Sequence, residues 1–282
     1  MNWRCVTIRP AAMSTGQVSN TEDSATHPKY FSFFQNKLRI GKRSAVVTVL
    51  FCIFLWAYGR PILAVLYTRW EARKTPELWV VPTPLADLST DPSPGKKFSY
   101  LGYEFESPWT QVTKERRGQS VAVVNFTDGQ FIEIEKGDEL FPAMQEEVAK
   151  LGGDVRYVFG GKPIDSDYAL ISRTLYSTPR DVRLSWSRQE MAGNSALLLI
   201  KGVGVARMRS GLYSFKTDSL RGFQYGNPTH DNVVDIDAFD QKGRRISLMI
   251  GTDAKPDSRK LSQSEINRIL YSLRIESSSL EK

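Results

Sequence analysis

Residues 233–251 read VVDIDAFDQKGRRISLMIG. Apolar and polar residues alternate with the period of two that a β-strand imposes. The pattern predicts strands over Val233–Asp240 and Arg244–Gly251, with Gln241, Lys242 and Gly243 turning the chain between them. Val234, Ile236 and Ala238 are expected to face a core, and Asp235 and Asp237 to face water. The same carboxylates with Asp240 and Gly243 fail as a calcium loop, because Phe239 stands at its fifth position and no Glu closes it.

Outward from this hairpin the strand signal continues. Leu212–Lys216 and Leu220–Tyr225 extend it into a meander. Further upstream, Ser120–Phe126 and Phe131–Lys136 flank Thr127-Asp128-Gly129-Gln130, a tight-turn signature. Phe98–Glu106 reads as one strand. Helical spacing appears between and after these runs. Leu140, Met144, Val148 and Leu151 share a face of one helix, which Gly152 ends. Asp165–Ser177 is a second helix, with a break at Thr178-Pro179. Ser187 and Glu190 make a capping-box pattern before a third, which is expected to end near Lys201. Ser262 and Glu265 repeat that pattern before a last helix carrying Ile266, Ile269, Leu270 and Leu273 on one face. Strands, helices, strands and a terminal helix imply an α+β sandwich over residues 98–282, a mostly antiparallel sheet with helices packed on it.

Before this domain stands a segment of a different kind. Ser44–Gly59 contains no charge; Arg60 and Pro61 interrupt, and apolar residues resume to Tyr67. Twenty-four helical residues reach about 36 Å, enough to cross a hydrocarbon core of about 30 Å with some tilt. Residues 44–67 are therefore expected to be one transmembrane helix, with Arg60 reaching toward the headgroups. Trp56, Tyr58, Tyr67, Trp70 and Trp79 supply interfacial rings. Five cations precede the span (Lys29, Lys37, Arg39, Lys42, Arg43) and three follow it (Arg69, Arg73, Lys74). That excess places the N-terminus in the cytoplasm and the domain outside it. The polar stretch before residue 44 is too long for an ordinary signal-peptide leader, so an uncleaved anchor is expected. Residues 1–43 read as a disordered, then basic juxtamembrane tail. Residues 68–97, with Pro76, Pro82, Pro84, Pro92 and Pro94, read as an extended spacer holding the domain off the membrane.

The net charge of +7 belongs to this anchor region. Residues 1–97 carry 13 Lys and Arg against 6 Asp and Glu, whereas residues 98–282 carry 25 against 25. A nucleic-acid-binding domain would hold the excess on itself, so none is expected as a partner. Cys5 and Cys52 both lie outside the domain, which excludes a disulfide framework or cysteine zinc site there. Two histidines, His27 and His230, exclude a histidine-rich metal cluster.

Candidate chemistry is sparse. His230 beside Asp231 lacks a Gly-x-Ser-x-Gly nucleophile turn elsewhere in the chain. Gly202-Val203-Gly204 matches a dinucleotide fingerprint at only two glycines, with Arg207 at the third; a helix end leading into a strand accounts for it better. Gly160-Gly161-Lys162 lacks the rest of a phosphate loop. Glu104, Glu106, Glu133 and Glu135 fall on strands, where paired carboxylates or a solvated face read alike. Asn125-Phe126-Thr127 is a glycosylation sequon. No catalytic, cofactor-binding or metal-ligating residue is assigned, and no cofactor is expected.

Gly102-Tyr103-Glu104-Phe105 with Pro108 and Trp109, and Ile269-Leu270-Tyr271-Ser272-Leu273-Arg274-Ile275 near the end, resemble the PsbP-like family over residues 98–136 and 262–275. The resemblance implies an α/β/α sandwich and a role in binding or assembly. The functional expectation is a membrane-anchored, non-enzymatic binding or assembly module of the cell envelope. Its partners would be the lipid bilayer and an envelope protein. A small-ligand or lipid carrier would instead need a deep apolar pocket. An enzyme would need His230 clustered with a carboxylate and a hydroxyl.

Overall fold

A computed structural model of the chain describes residues 42–85, 95–137, 139–160, 163–205, 210–253 and 259–275. The expected tail up to residue 41, residues 86–94 of the expected spacer, and Gly161-Lys162 lie outside these. The chain divides into two compact units, Met1–Ala57 and Tyr58–Lys282. Helix α1 (Lys42–Glu71) passes through the division without a break at Pro61. Among the described residues it is the one helix long and apolar enough, over Val47–Glu71, to cross a membrane. Within the first unit Val47, Phe51, Leu55 and Trp56 are all exposed.

The second unit has an α+β fold. Its main sheet has eight strands in the order β1-β7-β8-β9-β10-β6-β5-β4. These are β1 (Thr83–Pro84), β4 (Val112–Arg117), β5 (Val121–Phe126), β6 (Gln130–Lys136), β7 (Leu212–Lys216), β8 (Leu220–Tyr225), β9 (Val233–Asp240) and β10 (Arg245–Thr252). All neighbours pair antiparallel except β1 with β7. A second sheet joins β2 (Lys96–Tyr100), β3 (Tyr103–Ser107) and β11 (Arg274–Ile275). The helices are α2 (Leu140–Lys150), α3 (Asp167–Tyr176), α4 (Arg188–Val205) and α5 (Gln263–Ser272).

Alternation assigns each face of the main sheet. Val234, Ile236, Ala238, Ile246, Leu248 and Ile250 share one face and form a core with the small sheet and α5. The opposite parity puts Phe223, Tyr225 and Phe239 on the other face, where Tyr168, Ile171 and Leu175 of α3 cover them. Helix α3 turns Leu170 the other way, into a cluster with Ala196 and Leu197 of α4 and Val148 of α2. The α4 segment from Met191 to Leu198 is buried all round. A helix without a polar face is stable only when enclosed.

Several expectations need correction. Phe98–Glu106 is not one strand but a hairpin, reversed at Leu101 (φ 56°) and Gly102 (φ 80°). Gly102 adopts that left-handed geometry without penalty, and a two-residue turn with both φ positive matches the twist of paired strands. Strand β4 carries almost only exposed residues and so lacks an alternating signature. Helix α4 continues through Gly202 and Gly204 to Val205, so the glycine pair neither ends it nor begins a strand. Gly202 lies close against Leu78: a Cβ there would come within 2.6 Å of its terminal methyl, which would have to shift. The terminal helix matches expectation: Ser262 and Glu265 form the full capping box, and Ile266, Ile269, Leu270 and Leu273 are buried.

Candidate functional site

The feature that sequence reasoning misses is a seat between the end of α1 and the helices behind the sheet. The expected free spacer is packed protein over its first part. Pro76–Trp79 is a 3-10 turn, for which Pro76 provides a preset φ at its start. Its Leu78 is buried with Val65 and Ala72 of α1 against Val182, Met191 and Leu198. Thr83 and Pro84 then run parallel to Tyr213 and Ser214 as an edge strand, where proline's missing N–H costs no ladder bond. The prolines suit both structures, and the apolar residues between them (Leu78, Val80, Val81) are what a free spacer would not need.

Polar contacts fix the seat. Arg69 Nε donates to the Val182 carbonyl at 2.9 Å, and the Tyr58 hydroxyl donates to the Trp186 carbonyl at 3.2 Å. Trp79 Nε1 donates to the Ala72 carbonyl at 2.8 Å. The guanidinium of Arg180 stands 5.9 Å from the Trp79 ring, and that of Arg188 stands 5.8 Å from the Tyr58 ring. The carboxylates of this loop are turned to local bonds: Asp181 accepts the Thr178 N–H at 2.7 Å, and Glu190 accepts the Ser185 hydroxyl at 2.9 Å. Behind the seat, Lys201 is 2% exposed and donates from Nζ to the Ser177 carbonyl at 2.5 Å, at the C-terminus of α3. Burial lowers its ammonium to about 8, opposed by the charge of Asp181.

The residues that carried candidate chemistry are dispersed. Asp237 does not face water: it is buried beneath α3, accepting the Tyr225 hydroxyl at 3.0 Å and Arg245 Nε at 2.9 Å. The second face of the sheet is covered, so a carboxylate there needs a cation and a hydroxyl around it. Burial, then the Asp237 charge, raises the Tyr225 phenol well above its usual value. Asp240 closes the β9–β10 turn by accepting the backbone N–H of Lys242 at 2.9 Å and of Arg244 at 2.8 Å. His230 is exposed in its turn. Its neighbour Asp231 accepts the Asn227 N–H at 2.8 Å and the Ser210 hydroxyl, bonds that close a loop. Glu104 and Glu106 lie in the small sheet and Glu133 and Glu135 in the main one, so the four are not gathered on one sheet. Glu106 meets Arg268 at 3.3 Å. Asn125 of the sequon sits in β5, opposite Phe131 of β6.

Two open clefts accompany these features. One of about 650 Å³ lies over the small sheet and α5, bordered by Lys97, Glu104, Glu106, Arg268 and Arg274. The other, about 810 Å³, is bordered by Lys136, Lys242, Arg244, Arg245, Asp165 and Asp167. Apolar side chains stand among the charged ones in both, Phe98, Phe105 and Tyr271 in the first and Leu101, Tyr103 and Phe141 in the second. Among the described residues no group of three or more His, Cys, Asp or Glu is placed to hold a metal ion.

Comparison with family models, with curated proteins and with solved structures finds no match to this chain.

Proposed function

We propose that the chain is a single-pass membrane protein whose α+β domain is a binding or assembly module for a protein of the cell envelope. The N-terminus is cytoplasmic in this reading, on the balance of cations flanking the apolar run. One observation carries the proposal. The helix with the length and apolarity of a membrane span ends inside the domain's own packing, at Val65, Thr68 and Ala72. A domain that packs on the end of such a helix suits presentation of a surface to a partner in or on the same membrane.

The PsbP-like resemblance is part of the proposal. The two segments that carry it lie together: β11 pairs with β3, the Glu106 N–H donates to the Ser272 hydroxyl at 2.7 Å, and Trp109 Nε1 donates to Glu265 at 3.1 Å. In-cell crosslinking followed by mild-detergent capture of the full chain tests the reading, with a chain ending at Gly95 as control. A defined envelope protein retained only when residues 98–282 are present is expected. Equal recovery from both, or no protein at all, overturns the assembly role.

A further inference from the structure

We infer that the loop Arg180–Arg188 is a second membrane contact, which sets the domain down on the lipid headgroups rather than above them. The inference rests on the reading of α1 as a membrane span. The geometry is that of a chain laid along a helix. Val182 accepts from Arg69, and Trp186 accepts from Tyr58, eleven residues nearer the helix start. Eleven helical residues rise about 16 Å. The four residues from Val182 to Trp186 can reach at most about 14 Å, and the Tyr58 and Arg69 side chains supply the rest, so the loop runs along the helix toward its start.

Its outward side chains are not those of a soluble loop. Trp186 is 87% exposed and Leu184 is 59% exposed, with Arg180, Arg183 and Arg188 also exposed around them. The face of α1 turned from the domain is apolar at the same levels: Leu63, Leu66, Tyr67 and Trp70 are exposed. Cations are held at phosphates rather than among acyl chains, so the headgroups meet α1 near Arg60, where Trp186 lies among them beside Tyr58. A boundary at Tyr67–Trp70 would sink Trp186 and its arginines about 14–18 Å deeper. Tryptophan with neighbouring arginines is the composition of the membrane interface, the ring at the acyl boundary and the cations on phosphates. The occupant of this surface is therefore the bilayer itself.

The test uses the full chain with Cys5→Ser and Cys52→Ser, reconstituted in vesicles of phosphatidylcholine and phosphatidylglycerol. Leu184→Cys and Trp186→Cys each carry an environment-sensitive fluorophore, and Tyr271→Cys on α5, across the main sheet, is the reference. Quenching by doxyl-labelled lipid several-fold stronger at 184 and 186 than at 271 is expected, with unchanged urea midpoints. Equal quenching at all three positions, in protein that resists alkaline carbonate extraction, overturns the second contact and leaves the anchor standing. Release by carbonate removes the anchor and the second contact together.

Discussion

Asp237 and Arg245 form an ion pair on adjacent strands β9 and β10, with 2.7 Å between Oδ1 and Nη2 and almost no exposure of either side chain. Nε makes the directed hydrogen bond to the same oxygen, and Nη2, off that direction, makes the charge contact. The Tyr225 hydroxyl occupies the other carboxylate oxygen. Asp237→Asn therefore strands a buried guanidinium. A loss of about 3–5 kcal/mol in urea unfolding is expected, the usual result of removing one partner of a buried pair. The exposed Glu115–Arg117 pair is the contrast: Glu115→Gln should leave the urea midpoint nearly unchanged.

Lys201 makes stability depend on pH. In the folded chain its ammonium loses its proton near 8, and in the unfolded chain near 10.5. Between those values the unfolded state holds more protons, so stability rises as pH rises. Urea midpoints of the full chain in detergent should climb from pH 7.5 to 9.5. Lys201→Met should flatten that rise and be no less stable at pH 7.5. A slope unchanged by the substitution would mean that Lys201 is not the titrating group.

Leu78 pins the stretch after α1 to α4. Leu78→Ala removes a buried side chain whose truncation costs about 2–5 kcal/mol. The loss should be local: limited proteolysis is expected to cut at Lys74 and Arg73 sooner, while cleavage within the main sheet keeps its rate. Arg69→Gln, which loses the bond to Val182, should move the same sites in the same direction.

The cap on α5 is worth a smaller amount. Ser262→Ala removes the hydroxyl that accepts the Glu265 N–H at 3.2 Å, and a cost of about 1 kcal/mol is expected in the urea midpoint. Glu265 is also held by Trp109, so Glu265→Ala should cost more than the serine change.

Much of the domain was legible in the sequence where a single period governed a run. The β7–β10 meander, the β5–β6 hairpin and the capped α5 all follow from alternation or from Ser-x-x-Glu spacing. Legibility ended where two environments met. Asp235 and Asp237 share a strand face that reads as solvated, and only the covering helix α3 makes Asp237 internal. The Phe98–Glu106 run hid a reversal because Leu101 takes a positive φ that side chains of its kind rarely adopt. The seat at Tyr58–Leu85 was illegible because its partners, Val182 to Leu198, stand more than a hundred residues away. Trp186, between two serines with an arginine on either side, is a signal that could have found it.

The bonds from Tyr58, Arg69 and Thr83 to their partners bridge 113 to 129 residues of chain. During synthesis the residues after the apolar helix emerge first and have nothing to pack against until α4 and β7 follow. Closure of so long a loop is slow and comes late. Throughout that interval Leu78 lacks its seat and stays open to water. The first part of the domain to be made therefore waits for partners made more than a hundred residues later.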